Sequence, residues 1–278
     1  MIEVDLVHDG VRLVGLARDE GLAAELPEFV RRVDLVREVR CERRPWAGND
    51  AWLKSEPLAS GPARRHRLRA RFLGRPYPRR AEFENLAWLR SHGFGAPEPL
   101  VACVGRVGGR ALWQFLVTST VQDATDLRSF LERRPMELGA LLDELGQQVA
   151  ALHALGFVHR DLFPRNLLLR GGPERPELFF LDAWRGGARP QLRAADHDLA
   201  CLFLHLPLWL ERGELERLFE AYLAGRARHA RAPNAARLAR RIERGRRGLI
   251  RRLEAEPGRL RGLPLPEASW RMPGAGRS

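Results

Sequence analysis

The sequence predicts an α+β protein of two lobes, a small strand-rich one at the N-terminus and a larger helical one at the C-terminus. Residues 1–118 read mostly as strands with one strong helix, whereas residues 124–255 read mostly as helices. The pattern changes between Thr118 and Gln122, so the lobes are expected over residues 1–118 and 119–278. A chain of 278 residues, 45% apolar and 29% charged, can bury two such cores.

Strands are expected over residues 10–16 and 33–41, and a third over 51–56 follows the Gly48-Asn49-Asp50 turn. The arginine-, glycine- and proline-rich stretch 57–78 reads as an exposed loop. A helix is expected over 79–92, where Glu82, Leu86 and Leu89 share one face, so that Glu82 points toward the core. Glu84 shares its face with Trp88 and Ser91 and is the second candidate for an inward carboxylate. Gly93 stops the helix, and strands over 100–107 and 111–117 follow.

In the second lobe, Leu138, Leu141, Leu142, Leu145, Val149 and Leu152 form a helical core stripe that Gly156 terminates. The chain then enters Phe157-Val158-His159-Arg160-Asp161, and residues 167–169 and 178–181 read as a hairpin around Gly171-Gly172. Asp198 opens a further apolar helix, either as its N-cap or as an anchor beneath the loop at residues 159–161. In the basic tail, about 226–261, Leu238, Ile242, Leu249 and Leu253 form an apolar stripe. Arg237, Arg240, Arg241, Arg244, Arg247 and Arg251 crowd the remainder of that helix. This pattern fits first a bundle helix with a solvated basic face, and as the alternative a basic amphipathic helix lying on an anionic membrane.

Composition narrows the function classes. Cys41, Cys103 and Cys201 form no Cys-x-x-Cys pair, which argues against a zinc site or a disulfide framework and for a reducing compartment. Glu3 and Asp5 stand where a signal peptide would carry base, so export is not indicated. The most apolar window, 199–210, contains His205 and Pro207 and is too short to span a bilayer. The expected location is cytoplasmic, soluble or peripheral. A formal charge of +12 attracts polyanions, without indicating a specific nucleic acid.

Lys54 is the only lysine in a chain with 47 Lys+Arg. A compact ammonium bridging phosphates and a carboxylate is not replaceable by a wide planar guanidinium. Downstream, His159-Arg160-Asp161 with Asn166 five residues after Asp161, and Asp182 ending an apolar strand, complete the set that phosphoryl transfer from Mg-ATP requires. Asn166 and Asp182 offer oxygens to Mg²⁺, Asp161 accepts the hydrogen bond of an attacking hydroxyl, and Arg165 adds positive charge near the transferring group. Lys54 would hold the α- and β-phosphates, aligned by Glu82. Thr118, at the hinge, is the remaining nucleotide-side candidate, and His159 reads as structural.

These residues, Ala-Trp-Leu-Lys54, the Glu82 helix, His159-Arg160-Asp161 through Asn166, and Leu181-Asp182, resemble the protein-kinase-like fold. More narrowly, residues 79–99 and 159–222 look like the lipopolysaccharide kinase family, which phosphorylates heptose or Kdo sugars of the lipid A core. The resemblance implies ATP, Mg²⁺, a sugar or glycolipid acceptor and the cytoplasmic face of a membrane. It departs from the kinase pattern at Ala183-Trp184, where Phe-Gly would follow Asp182, and in lacking a Gly-x-Gly-x-x-Gly before Lys54; arginines between Val30 and Arg44 are candidates to replace those glycines. Only sixteen positions separate Asp182 from Asp198, little room for a peptide-docking segment, so a protein acceptor is disfavoured. The rival expectations are a protein serine/threonine or small-metabolite kinase, and a catalytically silent binding protein on the same fold.

Overall fold

Partial alternation of apolar and polar side chains in the outer strands, and near-continuous apolar runs in the two central ones, build a six-stranded antiparallel sheet in the computed structural model, which describes residues 1–32, 39–58, 63–133, 137–188, 195–229, 233–260, 262–267 and 271–272. Its strands are β1 (Ile2–His8), β2 (Val11–Ala17), β3 (Arg40–Arg43), β4 (Ala51–Pro57), β5 (Pro99–Val107) and β6 (Arg110–Ser119), in the order β1-β2-β5-β6-β4-β3. Helices α1 (Glu20–Ala24) and α2 (Leu26–Arg32) follow β2, and α3 (Arg64–Leu73) and α4 (Pro78–Ser91) lie between β4 and β5. Leu13, Leu26, Phe29, Leu53, Leu100, Val101, Trp113 and Phe115 form the core on one face of the sheet. These elements, with Asp182–Arg185, make one compact unit; residues 123–181 and 186–278 make the other.

The sequence reading did not include β1, although Ile2, Val4 and Leu6 alternate with Glu3 and Asp5. Asp9 and Gly10, with φ of 48° and 75°, supply the two-residue turn whose twist joins it to β2. Of the strand expected over 33–41, residues 33–38 lie outside the described residues, and the described part begins pairing at Arg40.

The stretch 57–78 is corrected most. Residues 59–62 lie outside the described residues; most of 64–76 is exposed as expected, but Leu58, Ala63, Tyr77 and Pro78 are buried, and residues 64–73 are helical, because arginine, leucine and alanine are good helix formers. Gly74, with φ 59°, ends α3 in the left-handed conformation that glycine adopts without strain.

Sheet packing is tight at Gly15. A Cβ there would stand 1.9 Å from the carbonyl oxygen of Ala102, a backbone atom that cannot give way without disturbing the β2–β5 ladder. Gly15→Ala is expected to lower the stability by at least about 2 kcal/mol. A stability loss below about 0.5 kcal/mol, measured by urea unfolding, would contradict it.

The second unit contains β7 (Ala124–Asp126), α5 (Leu127–Glu132), α6 (Gly139–Ala154), β8 (Phe157–Val158), β9 (Leu167–Arg170), β10 (Glu177–Phe180), β11 (Gly187–Ala188), α7 (Ala195–Leu202), α8 (Arg212–His229) and α9 (Ala235–Ala255). The stripe on α6 is buried as its periodicity predicts. Close approach of α6 and α8 depends on glycine on both: a Cβ on Gly146 would lie 2.7 Å from Ala221 Cβ, and one on Gly225 2.7 Å from Ala150 Cβ. The β9–β10 hairpin forms as expected and gains β7 as a third strand.

Helix α9 uses its apolar stripe inside this unit. Leu238, Ala239, Ile242, Ile250 and Leu253 are buried, while Arg237, Arg240, Arg244, Arg247 and Arg251 face solvent. Of the two expectations for this helix, the structure fits the bundle helix with a solvated basic face: the apolar side is already covered. Among the described residues no helix is long and apolar enough to cross a membrane.

Candidate active site

Strand β4 alternates Ala51, Leu53 and Ser55 into the core with Trp52, Lys54 and Glu56 on the opposite face. Directly paired residues of antiparallel strands project from the same face, so β6 sets Thr118 beside Trp52, Leu116 beside Lys54 and Gln114 beside Glu56. Gln114 Nε2 donates to Glu56 Oε2 at 2.7 Å, and its Oε1 accepts from the backbone N–H of Arg79 at 3.0 Å. That bond fixes the start of α4, where Pro78 sits at a position that needs no N–H.

One turn into α4, Glu82 meets the lysine. Lys54 Nζ donates to Glu82 Oε1 at 2.6 Å and to Asp182 Oδ1 at 2.9 Å. Arg79 Nη1 donates to Glu82 Oε2 at 2.7 Å and stands 4.0 Å from Asp182 Oδ1. The Glu82 side chain is wholly buried. Burial alone would pull the Lys54 pKa down, but the facing carboxylates of Glu82 and Asp182 outweigh it and hold the group above its ordinary value, as an ammonium. Glu84 instead pairs with Arg80 Nε at 3.0 Å, so Glu82 is the carboxylate that reaches Lys54.

Asp182 has φ 57°, an uncommon conformation for a residue with a Cβ. Ala183–Arg185 form a short 3₁₀ turn, and Asn85 Nδ2 on α4 donates to the Ala183 carbonyl at 2.7 Å. The departure at Ala183-Trp184 is therefore tied to the same helix that carries Glu82. Arg79 and Asn85 were missed in the sequence, yet both lie three residues from Glu82 on one helical face, which is the signal that would have found them.

In the second unit, Gly156, with φ 77°, ends α6 and β8 leads into the Asp161 loop. Asp198 lies within α7 and is fully buried, and its carboxylate accepts from the backbone N–H groups of His159 and Arg160, each at 2.6 Å. His153 Nε2 lies 3.2 Å from the same carboxylate, and His153 Nδ1 lies 3.1 Å from Tyr222 Oη. Of the two expectations for Asp198, the geometry is that of the loop anchor. Burial would raise its pKa, but the bond from His153, that residue's charge and the loop N–H groups outweigh this and hold it below the ordinary carboxylate value. The anchor also holds Arg160 at φ 63°, a conformation of order 1 kcal/mol or more above the usual well. His159 Nε2 bonds the Leu181 carbonyl at 2.7 Å, the structural position expected for it.

Asp161 follows directly and keeps its side chain partly accessible. Asn166 Nδ2 donates to the Asp161 carbonyl at 2.8 Å and to its Oδ2 at 3.0 Å, which turns the amide oxygen of Asn166 away from Asp161. Asn166 lies in a 3₁₀ turn, and its carbonyl accepts from Leu181 N at 2.9 Å, linking it to the end of the hairpin. Arg165 Nη2 is 3.7 Å from Asp161 Oδ2, and its guanidinium lies over the Phe163 ring at 4.2 Å. The first unit thus gathers Lys54, Glu82 and Asp182, with Thr118 on the same sheet face. The second gathers Asp161, Arg165 and Asn166.

Residues 58–222 match the model of the lipopolysaccharide kinase (Kdo/WaaP) family, a span that contains each of these residues except Lys54. A 3-deoxy-D-manno-octulosonic acid kinase of Pasteurella multocida (strain Pm70) is 30% identical over 106 residues, 37% of this chain and 42% of that protein. The kinase of the same name from Vibrio parahaemolyticus serotype O3:K6 (strain RIMD 2210633) is 31% identical over 88 residues, 32% of this chain and 36% of that protein. The chain therefore spans less than half the length of these relatives. A solved structure of WaaP in complex with acyl carrier protein is 20% identical and superposes with a TM-score of 0.53, covering 81% of this chain and 86% of that one, so the fold is shared. With more than half its residues matched by the family model, this chain belongs to the lipopolysaccharide kinase (Kdo/WaaP) family.

Proposed function

We propose that the protein transfers the γ-phosphoryl group of ATP to a hydroxyl of a Kdo or heptose sugar in the inner core of lipopolysaccharide. Family membership and the names of the relatives support the acceptor class. The observation that carries the chemistry is the Lys54 ammonium held between Glu82 and Asp182. A donor of that shape, already aligned by a buried carboxylate, suits the non-bridging oxygens of α- and β-phosphates.

The donor set also fits a hard divalent cation. Asp182 offers a carboxylate, and Asn166 an amide oxygen freed by committing its nitrogen to Asp161; Mg²⁺ accepts one or two such oxygens together with water and phosphate. When bound, Mg²⁺ would neutralise phosphate charge. Asp161 accepts the hydrogen bond of the sugar hydroxyl and orients its lone pair for attack, taking the proton as the new O–P bond forms. Arg165 holds positive charge close to Asp161, and Thr118 lines the Lys54 face of the sheet. ATP as donor places the reaction on the cytoplasmic side, at the inner face of the membrane that carries the glycolipid.

The test is transfer of radiolabelled γ-phosphate from Mg-ATP to purified lipopolysaccharide core acceptors. Wild type should label the glycolipid, and Asp161→Ala should lower the rate about 10²–10⁴-fold. Labelling of proteins or small metabolites in place of the glycolipid would overturn the acceptor, and an undiminished rate in Asp161→Ala would overturn its role as base.

A further inference from the structure

Helix α3 is built the wrong way round for a helix that only packs on a protein. Its half-buried side is His66, Arg67 and Ala70, and Ala70 rests on the small cluster of Leu58, Ala63, Tyr77, Val104 and Ala111. Its largest apolar residues face solvent: Leu68 is 41%, Phe72 70% and Leu73 64% exposed. At 100° per residue, Leu68 and Phe72 stack one turn apart at the centre of the outward face. Arg64 and Arg71 line one side of them, and Arg65 and Arg69 the other. No acidic residue occurs between Glu56 and Glu82, and among the described residues none of these four arginines forms an ion pair.

We infer that α3 docks on an anionic lipid bilayer, with Leu68 and Phe72 entering the acyl boundary and the flanking arginines at the level of the headgroups. An apolar ridge bordered by cations matches the layering of such an interface, where long basic side chains reach back to the charged surface. A nucleic acid would satisfy the arginines but would leave Leu68 and Phe72 at the middle of the contact without an apolar partner. Helix α9 offers charge alone, since its apolar side is covered.

The position of α3 connects docking to the proposed chemistry. It follows β4, which carries Lys54, and precedes α4, which carries Glu82. The His66 ring meets Trp184 edge-on at 5.4 Å, two residues past Asp182. This deepens the glycolipid reading and rests on it for the location of the acceptor.

The experiment is co-sedimentation of the full chain with phosphatidylcholine vesicles and with vesicles carrying phosphatidylglycerol, beside γ-phosphate transfer to a delipidated, water-soluble core sugar. Wild type should pellet with the anionic vesicles only. Leu68→Ser/Phe72→Ser, which alters exposed residues, should keep the wild-type melting curve and soluble-sugar activity while vesicle affinity falls at least about tenfold. Arg65→Gln/Arg69→Gln should lose affinity to a similar extent, about tenfold or more. Arg240→Gln/Arg244→Gln/Arg247→Gln on α9 should pellet as wild type. Wild-type pelleting by Leu68→Ser/Phe72→Ser, loss confined to the α9 variant, or preference for nucleic acid over vesicles would each overturn the docking inference. Vesicle binding that fails while sugar transfer persists removes α3 docking alone; docking that persists without transfer upholds it and removes the kinase reading.

Discussion

Asp198→Ala is expected to destabilise the second unit by about 3–5 kcal/mol, the cost of breaking a buried charged network on one side. The substitution strands two backbone N–H groups, of His159 and Arg160, and takes from His153 its bond to the carboxylate. It also releases Arg160 from its left-handed conformation, so the residue just before Asp161 loses its fixed geometry. Phosphoryl transfer should fall with stability, and chemical unfolding followed by tryptophan fluorescence measures the loss. A change below about 1 kcal/mol would mean that the loop is held by something else.

The same residue sets an acid limit. Its folded pKa lies below the unfolded one, so the folded state binds fewer protons there, and the associated stability is fully present above the unfolded carboxylate value. It is lost as pH falls through the folded value. Asp198→Asn, measured between pH 7 and the onset of acid unfolding, should show a shallower decline of stability at its acid end than wild type.

Lys54→Arg should lower phosphoryl transfer about as severely as Lys54→Ala, by roughly 10³-fold. Charge is conserved in the first substitution but shape is not. The ammonium occupies a space bounded by Glu82 at 2.6 Å, Asp182 at 2.9 Å and the Arg79 guanidinium that shares both carboxylates. A second planar fork there must displace either Arg79 or Asp182. The chain has 47 Lys+Arg with lysine only at position 54, so arginine has been used wherever charge alone suffices. Comparing kcat and the ATP dissociation constant across both variants tests this; Lys54→Arg within tenfold of wild type would show that a point charge is not what the site needs.

Where periodicity and spacing report a contact directly, the sequence was legible. The α6 stripe, the β9–β10 hairpin and the choice of Glu82 over Glu84 follow from which residues share a face. Helix α3 was not legible because no residue of it is fully buried, so it carries no core stripe, and flanking glycine and proline pointed to a loop. Strand β7 is three residues, Ala-Thr-Asp, too short to alternate. Asn85 belongs to the site through a partner distant in sequence, the carbonyl of Ala183, whereas Arg79 joins it through Glu82, three residues along the same helix and shared with Lys54. The stripe on α9 was legible, but periodicity marks a face without saying what covers it.

Asp182–Arg185 belong to the N-terminal unit although the residues on either side of them belong to the other. The N-terminal unit is consequently discontinuous in the order of synthesis. A nascent chain that has reached Gln122 already contains Lys54 and Glu82, but the partner of Lys54 on its other side has not yet been made. The six-stranded sheet and its core lie wholly within residues 1–122, but the ion pair of Lys54 with Asp182 cannot form until residue 182 has emerged, and a fragment ending at Gln122 would leave Lys54 and Arg79 facing Glu82 with one carboxylate too few.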